Sequence, residues 1–113
     1  MKRELRLPLK RKWFEMTKSG EKTEEYREIN RYWISRLVRN IEYMVNYEDL
    51  EAVGNISFRE FDSNIVTLGY PKSNDADRII SFEHEGIEIG TGNPEWGAEP
   101  GKRYFVIKHG KRL

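Results

Sequence analysis

The sequence predicts an α+β fold, a small β-barrel with two or more flanking helices. Three observations predict it. Apolar residues recur at helical spacing in the first forty-one positions, around Trp13 and again from Trp33 to Ile41. Beyond Gly54 the pattern changes to short alternating stretches separated by turn residues. The 113 residues contain no internal repeat, low-complexity tract or linker, so they are read as one domain spanning 1–113. Several short strands must hide their edges, and curling the sheet does so.

The elements follow in order. Leu5, Leu7 and Leu9 share one parity within 5–11, which predicts a half-buried strand, with Pro8 suited to an edge. In "KRKWFEMTKSG" Trp13, Met16 and Thr17 fall on one helical face, and Gly20 is a C-cap signal. "KTEEYRE", 22–28, alternates without being apolar and is read as a strand facing a polar groove. Asn30 can cap a second helix, in which Trp33, Ile34, Leu37, Val38 and Ile41 form the buried stripe. The stretch 42–54 is compatible with more helix or with a loop.

In the second half, 55–61 and 64–70 are expected to be strands joined at Asp62 and Ser63. Residues 70–77 have turn composition. In 78–90, Ile80, Phe82 and His84 alternate with Ile79, Ser81 and Glu83, and Gly86 is a candidate break. "TGNPEWGAEPG", 91–101, reads as an ordered loop, and 102–110 as a final strand.

Composition narrows the function classes. There is no cysteine, which excludes disulfides, thiolate catalysis and Cys-ligated zinc and is compatible with a reducing cytosol. His84 and His109 lie far apart in sequence, so no His-based metal site and no cofactor is expected. No apolar run reaches the ~18–20 residues of a membrane span, and the basic N-terminus lacks the apolar core of a signal peptide. A cytoplasmic location is therefore expected.

Net charge is +1, but it is unevenly spread: +5 over 1–18, −10 over 42–99 and +5 over 102–113. If the two ends meet, they make one basic face suited to a polyanion. The same ends could instead solvate the chain and pair with its acidic middle.

The densest charge lies in "GEKTEEYR", 20–27, with five charged residues in eight. On a strand, Thr23, Glu25 and Arg27 share one face, and Lys22, Glu24 and Tyr26 the other. Glu25 and Arg27 can then pair, leaving a guanidinium oriented for a carboxylate or phosphate. The competing explanation is an exposed strand whose alternating charges keep an edge soluble.

The spacing Gly20, Lys22, Glu25, Arg27 resembles the G-x-K-x-x-E-x-R signature of the ASCH domain family. "LPLKRKWFEM", "EYREINRYW", "LGY", "NPEWGAEPG" and "YFVIK" are similar to stretches of its bacterial and phage branch, so the resemblance spans essentially the whole chain. It implies a PUA-like pseudo-barrel with flanking helices. It also implies that the octet lines a cleft between the first helices and the barrel, where RNA or a nucleotide binds. Lys22 and Arg27 would then contact phosphate or a base edge, and Glu25 would hold Arg27 or accept from a base amino group.

One branch of the family removes the acetyl group of N-acetylated cytidine with a Lys, a Thr nucleophile and a distant Glu. Its Lys matches Lys22, whereas its Thr aligns with Glu25. Thr23 is the nearest hydroxyl, on the same strand face but about 7 Å along the chain. Family members that cleave RNA suggest a second chemistry, with Glu25 beside Lys22 as general base. The alternative to a binding domain is therefore a hydrolase acting on a modified nucleoside or RNA, with Lys22 and Glu25 catalytic.

Weaker features complete the candidate site. Trp96 can stack on a base or plug the barrel mouth. Lys12, with Lys10 and Arg11, opens a helix near the octet. Trp13 and Trp33 read as core residues. Glu83, Glu85 and Glu88 alternate, and any one could be a distant acid. The expected ligand-binding set is Lys22, Glu25, Arg27, Lys12 and Trp96, without metal, taking RNA or a nucleotide. The sequence leaves the oligomeric state open.

Overall fold

A computed structural model describes residues 3–39 and 56–113. Five strands form one curled, half-barrel sheet in the order β1-β3-β4-β5-β2, with two helices packed on it. The strands are β1 (Glu4–Leu9), β2 (Glu24–Arg27), β3 (Ser63–Leu68), β4 (Ile79–Thr91) and β5 (Arg103–Arg112). The helices are α1 (Arg11–Lys18) and α2 (Arg31–Leu37). β1 and β3 are parallel, and the other neighbours are antiparallel.

The alternation of β1 holds: Leu5, Leu7 and Leu9 are buried. They share the inner face of the sheet with Phe105 and Ile107 of β5, and Ile34 and Leu37 of α2 close over Leu5 and Leu7. A second cluster joins Leu9 to Phe14 of α1, Val66, Ile80 and Phe82. β5 is buried on both faces, because Tyr104 and Val106 point outward beneath Ala98 and Trp96 of the 91–101 loop.

Several boundaries differ from the sequence reading. α1 buries Phe14 and Thr17 most deeply, and Trp13 and Met16 only in part. α2 stops at Leu37: Val38 is extended and makes an isolated bridge with Phe58. That bridge is the extent of regular pairing in 56–61, where a full strand was expected. Ile41 and the 42–54 stretch lie outside the described residues; of the rest of the expected stripe, Ile34 and Leu37 are buried on α2, Trp33 is half-buried, and Val38 is buried beyond the end of the helix. Gly86 does not divide β4. The strand runs through it with register irregularities between Phe82, His84 and Gly86, where the backbone φ of 125° takes up the bulge.

Curling brings the two edge strands together. β2 is bonded only to β5 in the sheet, and β1 only to β3. Across the seam Arg27 Nη2 of β2 donates to the Pro8 carbonyl of β1 at 3.0 Å. Pro8 lacks an N–H, which suits an edge position, but its carbonyl still needs a donor. Arg27 supplies it.

Candidate functional site at the barrel seam

The site is built from the end of α1 outward. Gly20 follows the helix with φ 87°, and the Lys22 N–H returns to the Met16 carbonyl at 3.0 Å. This turn sends the Lys22 side chain inward instead of along β2. Its ammonium, fully buried, donates to Glu25 Oε2 and to the Glu24 carbonyl, each at 2.6 Å. Burial lowers its pKa, and the Glu25 carboxylate opposes that shift.

Glu25 stands opposite Ile107 and Arg27 opposite Phe105 in the β2–β5 register, so both side chains share the inner face. Arg27 Nη1 donates to Glu25 Oε1 at 3.1 Å and to the Tyr26 carbonyl at 3.0 Å, while Nη2 holds Pro8. Its guanidinium also lies 5.2 Å from the Trp33 ring centroid. The expected Glu25–Arg27 pair is present, and Lys22 joins it from beneath. Both Glu25 oxygens accept from cations.

A cavity of about 260 Å³ opens above this cluster, between β1, α1, β2 and the 91–101 loop. Its charged lining is Lys10, Glu25 and Arg27; its aromatic lining is Trp13, Trp96, Tyr26 and Tyr104. Gly97 also lines it, and a Cβ there would fall 3.0 Å from the Trp13 ring, so glycine lets the loop approach that indole. The tyrosines fix the loop. Tyr26 Oη donates to Glu24 Oε1 and accepts from Asn93 N–H, both at 2.9 Å, and Tyr104 Oη accepts from Glu99 N–H at 3.0 Å. Burial is the main cause that pushes the Tyr26 hydroxyl up to about 12. Two anchors, one on each side of Trp96, explain why a glycine- and proline-rich stretch is ordered.

The predicted site residues therefore separate into groups. Glu25, Arg27 and Trp96 meet at the cavity. Lys22 lies under it, touching Glu25 and outside its lining. Lys12 is exposed, with its ammonium 4.8 Å from the centroid of the Trp13 ring whose indole walls the cavity. Thr23 is exposed and Glu83, Glu85 and Glu88 are absent from the lining; Glu88 instead pairs with Lys108 at 3.1 Å. Trp13, Tyr26 and Tyr104 were missed as site residues. Tyr26 was within the octet, but its wall role depends on the loop that folds over it.

The basic ends do approach the octet. Glu24 stands opposite Lys108, and Lys10 lines the cavity. Part of that charge is neutralised locally, because Lys102 reaches Glu28 at 2.6 Å and Lys108 reaches Glu88.

The histidines, distant in sequence, are cross-strand partners on β4 and β5. Buried Asn64 bridges them: its Oδ1 lies 2.7 Å from His84 Nδ1 and its Nδ2 lies 2.9 Å from His109 Nδ1. The amide orientation makes His84 Nδ1 a donor and His109 Nδ1 an acceptor. Burial is the main cause that lowers His109 to about 4, reinforced by the nearby charges of Lys22, His84 and Arg27; burial also lowers His84. Among the described residues no cluster of three or more metal-ligating side chains occurs.

No family model, curated protein or solved structure matches the chain. No described helix is long and apolar enough to cross a membrane.

Proposed function

We propose that this chain is an ASCH-type, PUA-like domain that binds RNA or a nucleotide, with one base or nucleoside held in the seam cavity. The observation that carries this reading is the pairing of a tethered guanidinium and carboxylate with four aromatic walls in one small cavity. The aromatic walls offer stacking surfaces. Arg27, restrained by Glu25, Tyr26 and Pro8, presents a donor edge whose position is fixed before a ligand arrives. A volume of about 260 Å³ lies just below the ~300 Å³ at which ordinary small-molecule pockets begin, and favours a single base over a larger ligand.

The hydrolase reading draws on the 2.6 Å contact between Lys22 and Glu25. The geometry supports it less well. A general base needs an oxygen directed at its substrate, whereas both Glu25 oxygens accept from Lys22 and Arg27. Thr23, the nearest hydroxyl to the family's nucleophile, is exposed and absent from the cavity lining.

Titration with the four nucleoside monophosphates tests the proposal. Trp96→Ala should weaken the preferred ligand by ~1–3 kcal/mol, the worth of one stacked base, while Trp96→Phe keeps most of the affinity. Circular dichroism establishes that each variant is folded. Wild-type protein that binds none of the nucleotides or short RNAs, or Trp96→Ala that binds them unchanged, would sink the binding reading. A turnover assay on N-acetylated cytidine and short RNA separates the alternative: catalysis abolished in Glu25→Gln with binding intact would replace the binding module by an enzyme.

A further inference from the structure

A second and larger hollow lies on the other side of Pro8. It measures about 750 Å³ and runs between β1, α2 and the segment around Phe61. Three arginines line it, Arg6, Arg36 and Arg59, together with the aromatic side chains Tyr32, Trp33 and Tyr70. Among the described residues three large hydrophobic side chains are exposed, and two of them are here: Tyr32 at 55% and Tyr70 at 93%. Glu4 is the one carboxylate in the described lining, 4.0 Å from Arg6. The Arg36 guanidinium lies 4.5 Å from the Tyr32 ring centroid, and Tyr32 meets Trp33 edge to face at 5.2 Å. Arg59 Nε is buried without a hydrogen-bond partner among the described residues.

This hollow and the seam cavity share a wall. Pro8 lines both, and Arg27 of the seam lies over Trp33 of the groove. We infer that the groove takes the nucleotides flanking the one seated at the seam, so that the ligand is a single-stranded nucleic acid several nucleotides long. The inference rests on the seam reading and specifies its ligand class.

The chemistry favours this occupant. The exposed rings of Tyr32 and Tyr70 offer flat apolar faces, and every base has a face that stacks on an aromatic ring. Arginines interleaved with those rings supply the charge that follows a phosphate backbone. An acidic peptide would use the arginines and leave Tyr32 and Tyr70 uncovered. A duplex would meet the groove with its bases already stacked and paired, leaving the rings without partners.

The test compares binding of one nucleoside monophosphate, a hexauridylate RNA and a thymidylate DNA hexamer over a range of salt concentrations. The proteins are wild type, Tyr32→Ala and the double variant Arg6→Ala/Arg36→Ala, with both arginines exposed and outside the seam. The hexamers should bind at least tenfold more tightly than the monophosphate. The double variant should lose about tenfold or more of hexamer affinity, and its log–log salt slope should become shallower by about 1.4, two contacts at ~0.7 each. Monophosphate affinity should stay unchanged, and Tyr32→Ala should weaken the hexamers several-fold. A preference for the RNA or the DNA hexamer assigns the sugar. Hexamers that bind no tighter than the monophosphate, or that bind the double variant with the wild-type affinity and salt slope, overturn the inference. So does poly-glutamate that competes equally in wild type and Tyr32→Ala, which would mark a protein partner. The two readings separate cleanly: Arg6- and Arg36-dependent hexamer binding supports the groove whatever the monophosphate does, while failure of monophosphate binding removes the seam as a base pocket.

Discussion

Arg27 and Arg36 each lie over an aromatic ring of α2, at 5.2 Å from Trp33 and 4.5 Å from Tyr32, yet their surroundings differ. Arg27 is 15% exposed and makes three hydrogen bonds, to Glu25, Tyr26 and Pro8. Arg36 is exposed on the groove side. Arg27 is committed to the fold and offers a ligand only the part left facing the cavity. Arg36 retains most of its donors for whatever enters the groove. Burial with pairing turns a cation into a structural clasp, and exposure leaves it available for recognition. Lys22, fully buried against Glu25, is the extreme of the first kind.

The largest expected effect follows from that extreme. Lys22→Met strands a buried carboxylate with one cation fewer and should cost ~3–5 kcal/mol of stability. Arg36→Ala, on the surface, should stay within about 0.5 kcal/mol of wild type. Removing both charges, in Lys22→Met/Glu25→Gln, should recover much of the loss, because the glutamine oxygen still accepts from Arg27. Urea denaturation of the four proteins checks the order. A Lys22→Met protein as stable as Arg36→Ala would show that the seam cluster is not a structural clasp.

A second effect sharpens the contrast between charged and neutral burial. The His84–Asn64–His109 chain lies beside the seam without carrying charge, with Asn64 buried and both histidines half-buried. His109 falls from its usual 6.5 to about 4 in the folded protein, so the unfolded chain takes up the proton first. The stability that His109 contributes is complete above pH 6.5 and declines as pH falls from 6.5 to 4, by on the order of 3 kcal/mol. His84, also lowered, acts in the same direction. Denaturation midpoints at pH 7 and pH 4.5 measure this, and His109→Gln should flatten the difference. An unchanged slope in that variant would assign the acid sensitivity to other groups.

These contrasts explain what was legible beforehand. The leucine parity of β1, the cap at Asn30 and the burial of Ile34 and Leu37 on α2 were readable because period and burial coincide there. The Glu25–Arg27 pair was readable because two strand residues two apart share a face. The depth of Lys22 was not, since it depends on the turn after Gly20 instead of on strand parity. The histidine bridge required the β4–β5 register and an asparagine from a third strand. The groove was hidden for a related reason: Arg6, Arg36, Arg59 and Tyr70 belong to four separate stretches, and none carries a motif. The strand expected over 55–61 follows its apolar pattern, but beyond the Val38 bridge the described residues there pair with no strand.

The smallest expected effect concerns Lys12, which lies between the two kinds of cation. Its ammonium is exposed, so it resembles Arg36, but it rests on Trp13 at the rim of the seam, so it touches the wall of the cavity. An exposed cation–π contact is worth ~0.5–1 kcal/mol. Lys12→Ala should therefore lower stability by no more than about 1 kcal/mol. If Lys12 only steadies the Trp13 ring, nucleotide affinity should fall a few-fold at most, and Lys12→Arg should restore it, because a guanidinium stacks on indole at least as well. If Lys12 instead contacts a phosphate, Lys12→Ala should also make the salt dependence of RNA binding shallower by about 0.7. The salt slope thus separates the roles where the affinity change alone would not. An unchanged slope with a few-fold loss places Lys12 with the structural cations, and a shallower slope places it with the arginines of the groove.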